Sequence, residues 1–364
     1  MNITPLDVPG YEKVARAEDP ETGLVAFIAV HNTALGPALG GMRLWNYRSE
    51  DSAQWDVLRL ARGMTFKSAV ARTGLGGGKS VILADPADKS ERLFEAMGRF
   101  VDTFKGMYIT AEDVNVGVAD LMAVKKQTAH VTGLPQEVGG SGNPSPYTAR
   151  GTFVGIQATV QAAFGSADLD GRVVALQGAG SVGFVVGQML KEQGAKLYVS
   201  DVNLENVERA REELGAEIVE PADIYGVECD VYSPNALGAT LNDKTIPNLK
   251  CKVVAGAANN QLEDEDRHAA MLKGRGILYA PDYVINAGGI INVSLELQPG
   301  GYDEPAACLK IDNIGQALTS VYETAKREDI TTHAAAQEVA EAVLAEVSTA
   351  QGPDSDSHEA GTTA

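Results

Sequence analysis

Cysteine and long apolar segments are both scarce in this sequence. Its three cysteines, Cys229, Cys251 and Cys308, are odd in number and widely spaced, which fits reduced thiols in the cytoplasm better than a disulfide framework. No apolar run approaches the roughly 20 residues that span a bilayer. Residues 1–20 lack a basic segment followed by an apolar one, so no secretory signal is expected. We therefore expect a cytoplasmic protein with no membrane partner.

Basic residues are also under-represented relative to acidic ones. The chain has 30 Lys and Arg residues against 49 Asp and Glu residues, which gives a formal net charge of −19. A surface of this sign repels a polyanion, so nucleic acid is excluded as a partner. Good solubility and adaptation to a salt-rich host are alternative explanations of the acidic excess.

The length and the hydropathy pattern indicate an α/β protein with two domains. The 364 residues, of which 44% are hydrophobic, are sufficient for two domains with large cores. In the first third of the chain, strand and helix patterns alternate. They predict strands at residues 24–30, 80–84 and 107–110, and helices at residues 52–70 and 91–104.

A segment rich in glycine, proline and serine, Gly139–Pro146, is typical of a loop at a domain boundary. After it, short and fully apolar strands alternate with helices. Such strands indicate a parallel sheet that is covered on both faces. They are predicted at residues 173–176, 197–200, 231–232, 253–255 and 277–279, and a last helix is predicted at residues 334–347.

The first of these apolar strands leads into a dinucleotide-binding fingerprint. Gly178-Ala179-Gly180-Ser181-Val182-Gly183 fits the pattern G-x-G-x-x-G, lies between the strand and a helical run at residues 184–192, and is followed by Asp201 at the end of the next strand. The glycines permit a tight turn and close approach of a pyrophosphate to the start of the helix, and an acid at this distance accepts hydrogen bonds from a ribose. The pattern predicts NAD rather than NADP. The alternative is an ordinary strand–helix turn without a ligand.

A second glycine-rich segment, Gly76–Ser80 (GGGKS), suggests a phosphate-binding loop of the ATPase type, but two features argue against it. That loop begins with a glycine at the position where this chain has Thr73, and it leads into a helix. Here Lys79 is followed by the apolar strand pattern SVILAD. A nucleoside triphosphatase is therefore disfavoured.

Two lysines and one aspartate suggest amine chemistry instead. Lys67 lies near the end of a predicted helix, Lys79 follows the glycines, and Asp113 follows a strand. An amino-acid substrate brings a carboxylate that requires a cation, and its oxidation gives an iminium ion that water attacks with the help of a general base. A partly desolvated lysine beside a second cation has a lowered pKa and can be that base, while Asp113 can carry the proton of the amino group. By themselves, however, these residues are equally compatible with solvated surface positions.

Seven segments, in order along the chain, resemble the glutamate/leucine/phenylalanine/valine dehydrogenase family, and most closely its leucine dehydrogenases. The resemblance extends from about Leu24 to Val347. The segments are ALGPALGGMR (34–43), GMTFKSA (63–69), GLGGGKSVI (74–82), YITAEDV (108–114), SGNPSPYTARG (141–151), VAGAANNQL (254–262) and YAPDYVINAGGIINV (279–293).

The resemblance implies a role for each matching residue. Lys67 matches the lysine that binds the substrate carboxylate, Lys79 the lysine that activates water, and Asp113 the aspartate that transfers the amine proton. Asn260 matches an asparagine that faces substrate and nicotinamide, and Thr148 a threonine near the nicotinamide carboxamide. Further substrate contacts are implied for Gly40, Gly41 and Met64, and further cofactor contacts for Ala236, Ala257, Asn259 and Asn286.

The positions that match the family's side-chain pocket are Leu39, Ala111, Ile290 and Val293. All four are apolar, so a glutamate side chain would be buried without a counter-ion. The resemblance therefore implies NAD-dependent oxidative deamination of leucine, valine or isoleucine to the 2-oxo acid and ammonia, and the reverse reductive amination. An aromatic amino-acid dehydrogenase on the same scaffold and a non-catalytic dinucleotide sensor are the alternatives. No metal is expected.

Motifs and resemblance together predict the domain organisation. Residues 1–135 are expected to form an α/β substrate-binding and catalytic domain, and residues 136–330 a doubly wound, Rossmann-like NAD-binding domain. Residues 331–350 are expected to form a helix that returns to the first domain, and residues 351–364 a disordered tail. The family resemblance also implies a homo-oligomer, either an octamer or a dimer, whose chemistry takes place in the cleft between the domains.

Overall fold

The first half of the chain forms a mixed six-stranded sheet. The computed structural model describes residues 1–350, and the predicted tail at residues 351–364 lies outside them. The strands of this sheet are β1 (Asn2–Leu6), β2 (Lys13–Asp19), β3 (Leu24–Asn32), β4 (Ala38–Trp45), β5 (Gly76–Leu83) and β6 (Tyr108–Glu112). Their order is β1-β2-β3-β5-β4-β6. The pairs β1–β2, β2–β3 and β3–β5 are antiparallel. Strand β4 is parallel to both of its neighbours, β5 and β6.

Helices cover both faces of this sheet. They are α1 (Glu50–Val70), α2 (Glu91–Asp102) and α3 (Val118–Lys125). The hydroxyl of Ser49 accepts a hydrogen bond from the amide of Ser52, and the hydroxyl of Ser52 accepts one from the amide of Ser49, so a capping box starts α1. Because side chains alternate along β3, Phe27 packs in the cluster that contains α1, whereas Ile28 packs in the cluster that contains α2.

The second half forms a six-stranded parallel sheet. Its strands are β7 (Val173–Gln177), β8 (Lys196–Ser200), β9 (Glu217–Ile218), β10 (Val231–Pro234), β11 (Val253–Val254) and β12 (Leu278–Tyr279). The accompanying helices are α4 (Ser145–Phe164), α5 (Ser181–Glu192), α6 (Leu204–Arg209), α7 (Glu265–Gly274), α8 (Asp282–Ile285), α9 (Gly288–Ser294), α10 (Glu304–Asp312), α11 (Ile314–Glu328) and α12 (Thr332–Ala350).

The strand order of the second sheet creates a crevice at its centre. The order is β12-β11-β10-β7-β8-β9, so the chain leaves β7 in one direction, through β8 and β9, and returns to the other side of β7 with β10. Ligands of open parallel sheets bind beyond the carboxyl ends of the strands at such a switch point. The loops after β7 and β10 are therefore the expected positions for a bound dinucleotide.

One sequence prediction about the first sheet was wrong in detail. The strand predicted at residues 80–84 is β5, which starts at Gly76 and contains Lys79; the glycines are part of the strand and not a loop before it. A Cβ at Gly77 would lie 2.1 Å from the amide nitrogen of Thr65, so these glycines let α1 pack directly on the sheet. In addition, β1, β2 and β4 were not predicted.

The end of the described chain packs back on the beginning. Helix α12 contacts α1 as well as α11 and α7. Within residues 1–350 there is no helix with the length and apolar character that crossing a membrane requires. The three cysteines are free thiols.

Candidate active site

A cavity of about 360 Å³ lies between the two sheets. Strands β4, β5 and β6 and helix α1 contribute its walls from the first half, and the loop before α7, helix α8 and helix α9 contribute from the second half. Every residue that the sequence predicted to bind substrate or to act in catalysis lines this cavity, together with one predicted cofactor residue. They are Leu39, Gly40, Gly41, Met64, Lys67, Lys79, Ala111, Asp113, Asn259, Asn260, Ile290 and Val293.

Lys79 and Asp113 form an ion pair in this cavity. The distance from Lys79 Nζ to Asp113 Oδ2 is 2.8 Å. Burial lowers the pKa of Lys79 although Asp113 opposes this, and the nearby Arg43 lowers it further. Burial alone would raise the pKa of Asp113, but Lys79 and Arg43 outweigh it, so that pKa is lowered. The pair therefore combines an ionised carboxylate with a lysine that releases its proton more readily than usual.

Lys67 lies in the same cavity and bonds to the second half of the chain. Its Nζ donates to Asn286 Oδ1 at 2.7 Å, and Asn286 Nδ2 donates to Asn259 Oδ1 at 2.6 Å. Burial lowers the pKa of Lys67 to about 8; Lys79 lowers it too, whereas Asp282 opposes the shift. Asn286, predicted as a cofactor residue, thus contacts the lysine predicted to bind the substrate carboxylate.

The apolar end of the cavity is a small cluster of aliphatic side chains. Leu39, Ile290 and Val293 line the cavity, and Leu75 and Ile109, which the sequence reasoning did not single out, pack with them in the same cluster. Leu75 directly precedes the glycine-rich segment and Ile109 lies on β6, which ends just before Asp113, so both were inside quoted motifs. This end of the cavity suits an aliphatic group.

The glycine-rich turn after β7 is closely packed at two of its three glycines. Gly178 has a φ of 92°, and a Cβ there would lie 2.8 Å from the Cβ of Ala236. A Cβ at Gly183 would lie 2.0 Å from the carbonyl oxygen of Gly178. A Cβ at Gly180, by contrast, would meet nothing in the described chain within 4 Å. The turn is therefore shaped by Gly178 and Gly183, and it leaves open space at Gly180, where α5 begins with Ser181 and Val182.

Asp201 is bonded to this turn in the structure. Its Oδ2 accepts a hydrogen bond from the amide of Ala179 at 2.7 Å and one from Asn206 Nδ2 at 3.2 Å, and its Oδ1 accepts one from the amide of Asn203 at 2.8 Å. The carboxylate therefore supports the glycine turn as well as lying where a ribose is expected.

Of the other predicted cofactor residues, Ala236 and Ala257 lie in the loops after β10 and β11. Asn235 Oδ1 accepts a hydrogen bond from the amide of Ala257 at 2.9 Å, which connects the loops after β10 and β11. The hydroxyl of Thr148 donates to the carbonyl of Pro144 at 3.1 Å, and a Cβ at Gly289 would lie 2.8 Å from that hydroxyl. Thr148 is thus held where the start of α4 meets α9.

Sequence reasoning missed the charged residues behind Asp113. Arg43 Nε donates to Asp113 Oδ2 at 3.1 Å, and Arg43 Nη1 donates to Asp56 Oδ2 at 3.0 Å. The hydroxyl of Tyr47 donates to the same oxygen of Asp56 at 2.6 Å. Arg43 belonged to a quoted motif, but nothing in the sequence connects it to Asp113, which lies 70 positions away.

Comparison with known proteins agrees with this architecture. Residues 12–130 match the family described as Glu/Leu/Phe/Val dehydrogenase, dimerisation domain, and residues 199–352 match Glutamate/Leucine/Phenylalanine/Valine dehydrogenase. The leucine dehydrogenase of Geobacillus stearothermophilus is 52% identical over 94% of this chain and 93% of its own length. The L-tryptophan dehydrogenase of Nostoc punctiforme is 46% identical over 91% of this chain and 93% of its own length.

The crystal structure of L-tryptophan dehydrogenase from Nostoc punctiforme superimposes with a TM-score of 0.84 at 42% sequence identity, and the match covers 93% of this chain and 97% of that one. Sequence and fold therefore agree over both halves of the chain. The protein belongs to the glutamate/leucine/phenylalanine/valine dehydrogenase family.

Proposed function

We propose that this protein is an NAD-dependent amino-acid dehydrogenase that oxidatively deaminates a branched-chain L-amino acid to its 2-oxo acid and ammonia, and catalyses the reverse reductive amination. The single observation that carries the proposal is the cavity itself. It places two lysines, an ionised aspartate and an aliphatic cluster within one space between the sheets. The substrate class of the leucine dehydrogenase relatives fits these groups.

The residues of the cavity divide the chemistry between them. The Lys67 ammonium pairs with the substrate carboxylate and orients the α-carbon. Asp113 accepts a proton from the substrate ammonium, after which the α-hydrogen leaves as hydride. Lys79, with its lowered pKa, removes a proton from the water that adds to the iminium carbon. Asp113 returns a proton to the amine as ammonia departs, and the hydroxyl proton of the carbinolamine and the proton held by Lys79 are released to solvent as the carbonyl forms.

The crevice of the second sheet fits the adenosine and pyrophosphate portions of a dinucleotide. The open space at Gly180 lies at the first turn of α5, where backbone amides and the helix dipole favour a phosphate. When bound, oxidised NAD supplies the hydride acceptor. The negative charge of Asp201 favours NAD, because it would repel the 2′-phosphate of NADP.

Substrate specificity follows from the aliphatic cluster. Leu39, Ile290 and Val293 offer no partner for a charged side chain, and an unpaired carboxylate would be expensive to bury. The curated leucine dehydrogenases share more of this sequence than the aromatic amino-acid dehydrogenases do, at 52% against 46% and 44% identity. We therefore favour leucine, valine and isoleucine over phenylalanine and tryptophan.

We also propose that the protein acts in the cytoplasm as a homo-oligomer, a dimer or an octamer. The family description of residues 12–130 as a dimerisation domain supports self-association. Free thiols at all three cysteines support a reducing compartment. The two-domain division at residues 135 and 330, with residues 331–350 returning to the first domain, remains a proposal that the packing of α12 on α1 supports.

The test is NADH production by purified protein with NAD and a panel of leucine, valine, isoleucine, phenylalanine, tryptophan and glutamate. We expect turnover of the three aliphatic substrates. Substituting Lys79→Ala should lower kcat by about 10²- to 10⁴-fold, the usual contribution of a general acid–base group, while NADH binding is retained.

Each other result has a distinct meaning. Strong turnover of phenylalanine or tryptophan would support the proposed reaction but refute the aliphatic specificity in favour of an aromatic amino-acid dehydrogenase. NADH binding without turnover of any amino acid would identify a dinucleotide sensor and refute the proposed reaction. A normal kcat for the Lys79→Ala variant would show that Lys79 is not the general base.

A further inference from the structure

A chain of four polar contacts extends from the Lys79–Asp113 ion pair to the N-terminal end of α1. Tyr47, Asp56, Arg43, Asp113 and Lys79 are joined in that order, with donor–acceptor distances of 2.6, 3.0, 3.1 and 2.8 Å. Three separate elements contribute, because Arg43 lies on β4, Asp56 on α1 and Lys79 on β5. Such a chain fixes the relative position of these elements at the reacting groups.

The arginine occupies the centre of this chain. Its Nε and the Lys79 Nζ both bond to the same atom, Asp113 Oδ2. Its Nη1 is engaged by Asp56, which also accepts the Tyr47 hydroxyl. Only a planar guanidinium offers two donors with this fixed spacing, so a lysine cannot reproduce both bonds. The side chain is partly buried, with 21% of its surface exposed, and solvent therefore screens these contacts only in part.

We propose that Arg43 is a positioning residue of the active site, which holds the Asp113 carboxylate against Lys79 and is itself held in place by Asp56 and Tyr47. The role in catalysis rests on the proposed dehydrogenase function. The role in arranging Asp113 and Lys79 rests on the contacts alone.

The charge of Arg43 acts on both partners in the same direction. It lowers the pKa of Asp113, for which it is a stabilising counter-charge, and it lowers the pKa of Lys79, for which it is a like charge. Other titratable groups also act on the pair, and a substitution at Arg43 leaves them in place. Asp56 interacts with Lys79, Lys67 with both Lys79 and Asp113, Tyr108 with Asp113, and Asp282 with Lys67.

Substituting Arg43→Gln removes the cation and leaves Asp56 unneutralised, and both changes favour the protonated forms of the pair. The pKa values of Asp113 and Lys79 should therefore rise together. Asp113 must be ionised and Lys79 must become neutral during catalysis. Because both groups act in their deprotonated forms, the acid limb of the pH profile of kcat/KM is expected to move to higher pH.

Two further variants separate charge from shape. Arg43→Lys keeps the cation but not the two-donor geometry, so kcat should fall while the limbs stay near their original pH. Asp56→Asn preserves the shape of the side chain and removes an anion that raises the pKa of Lys79, so the acid limb should move to lower pH. Tyr47→Phe is the matched control at the outer end of the chain and should leave both limbs in place.

The experiment measures the pH profiles of the four variants and, in parallel, the reactivity of Lys79 towards acetic anhydride as a function of pH, followed by mass spectrometry of the peptide that contains it. The labelling requires no turnover. A rise in the labelling pKa of Arg43→Gln, with Arg43→Lys unchanged, supports the proposal even if no amino acid proves to be a substrate. An Arg43→Gln protein that melts like the wild type and loses activity without any shift in labelling or in the profile would overturn it.

Discussion

At the scale of single residues, burial lowers the pKa of both lysines in the cavity, with opposite consequences for their proposed roles. In the proposed mechanism, Lys79 acts when it is neutral, so its lowered pKa assists it. Lys67 acts when it is charged, so a pKa of about 8 limits it. In this mechanism the same desolvated cavity sets an upper pH for substrate binding and favours the neutral form of the base that deprotonates the attacking water.

This difference predicts how binding of a carboxylate depends on pH. Isocaproate, which has the carboxylate and aliphatic chain of leucine but no amino group, should inhibit competitively, with a constant inhibition constant below about pH 8. Above this pH the constant should rise, approaching about tenfold per pH unit as Lys67 loses its proton. The Lys67→Arg variant retains a charge at these pH values and should bind isocaproate with little pH dependence. An equal rise in both proteins would assign the titration to another group.

Sequence reasoning found the residues whose chemistry is distinctive and missed those whose role depends on a partner. The chemistry of a deamination suggested Lys67, Lys79 and Asp113, the family resemblance assigned their roles, and the structure brings all three into one cavity. The contact of Lys67 with Asn286 joins residues 219 positions apart, and that of Arg43 with Asp113 has no local pattern either. Such pairings depend on how two sheets pack, which residue types alone do not reveal.

At the scale of elements, glycine positions account for both the successes and the failures of the sequence predictions. The turn after β7 was recognised because its glycines have a fixed spacing between a strand and a helix. Strands β4 and β5 were missed or shortened because glycines are unfavourable in strands. A Cβ at Gly40 would lie 1.7 Å from the carbonyl of Gly78, so close packing of backbones explains these glycines, and a single sequence does not show it.

The space around each glycine predicts that substitution by alanine has different effects at two positions of the turn after β7. Gly180→Ala should leave the fold intact, because its Cβ meets no protein atom within 4 Å and its φ of −71° suits any residue. It should weaken NADH binding, because the methyl group enters the space proposed for the pyrophosphate. Gly183→Ala should lower stability by about 1–3 kcal/mol or more, since its Cβ would overlap the Gly178 carbonyl.

Thermal unfolding and NADH fluorescence titration of the two variants measure these effects separately. The expected pattern is a normal melting temperature with weak NADH binding for Gly180→Ala, and a lowered melting temperature for Gly183→Ala. Normal NADH affinity in Gly180→Ala would show that the dinucleotide does not approach this turn.

At the scale of the whole molecule, the parallel sheet was predictable and the mixed sheet was not. Continuous apolar strands alternating with helices have one common solution, a doubly wound sheet, and the second half adopts it. The first half joins antiparallel strands β1, β2 and β3 to parallel strands β4 and β6 through β5. Its order depends on long-range pairing, such as that of Ala29 with Lys79, for which the sequence carries no local signal.

The net charge of −19 predicts that moderate salt stabilises the protein. Anionic self-repulsion opposes the compact state, and raising ionic strength from about 0.01 to 0.15 M shortens the Debye length from about 30 to 8 Å. The melting temperature should therefore rise by about 1–2 °C for each kcal/mol of repulsion relieved, equally in NaCl and KCl. Sucrose at matched osmolality is the control for effects of excluded solutes. A melting temperature that is independent of ionic strength would show that local ion pairs already balance the acidic excess, and a continued rise in molar salt would indicate adaptation to a salt-rich host.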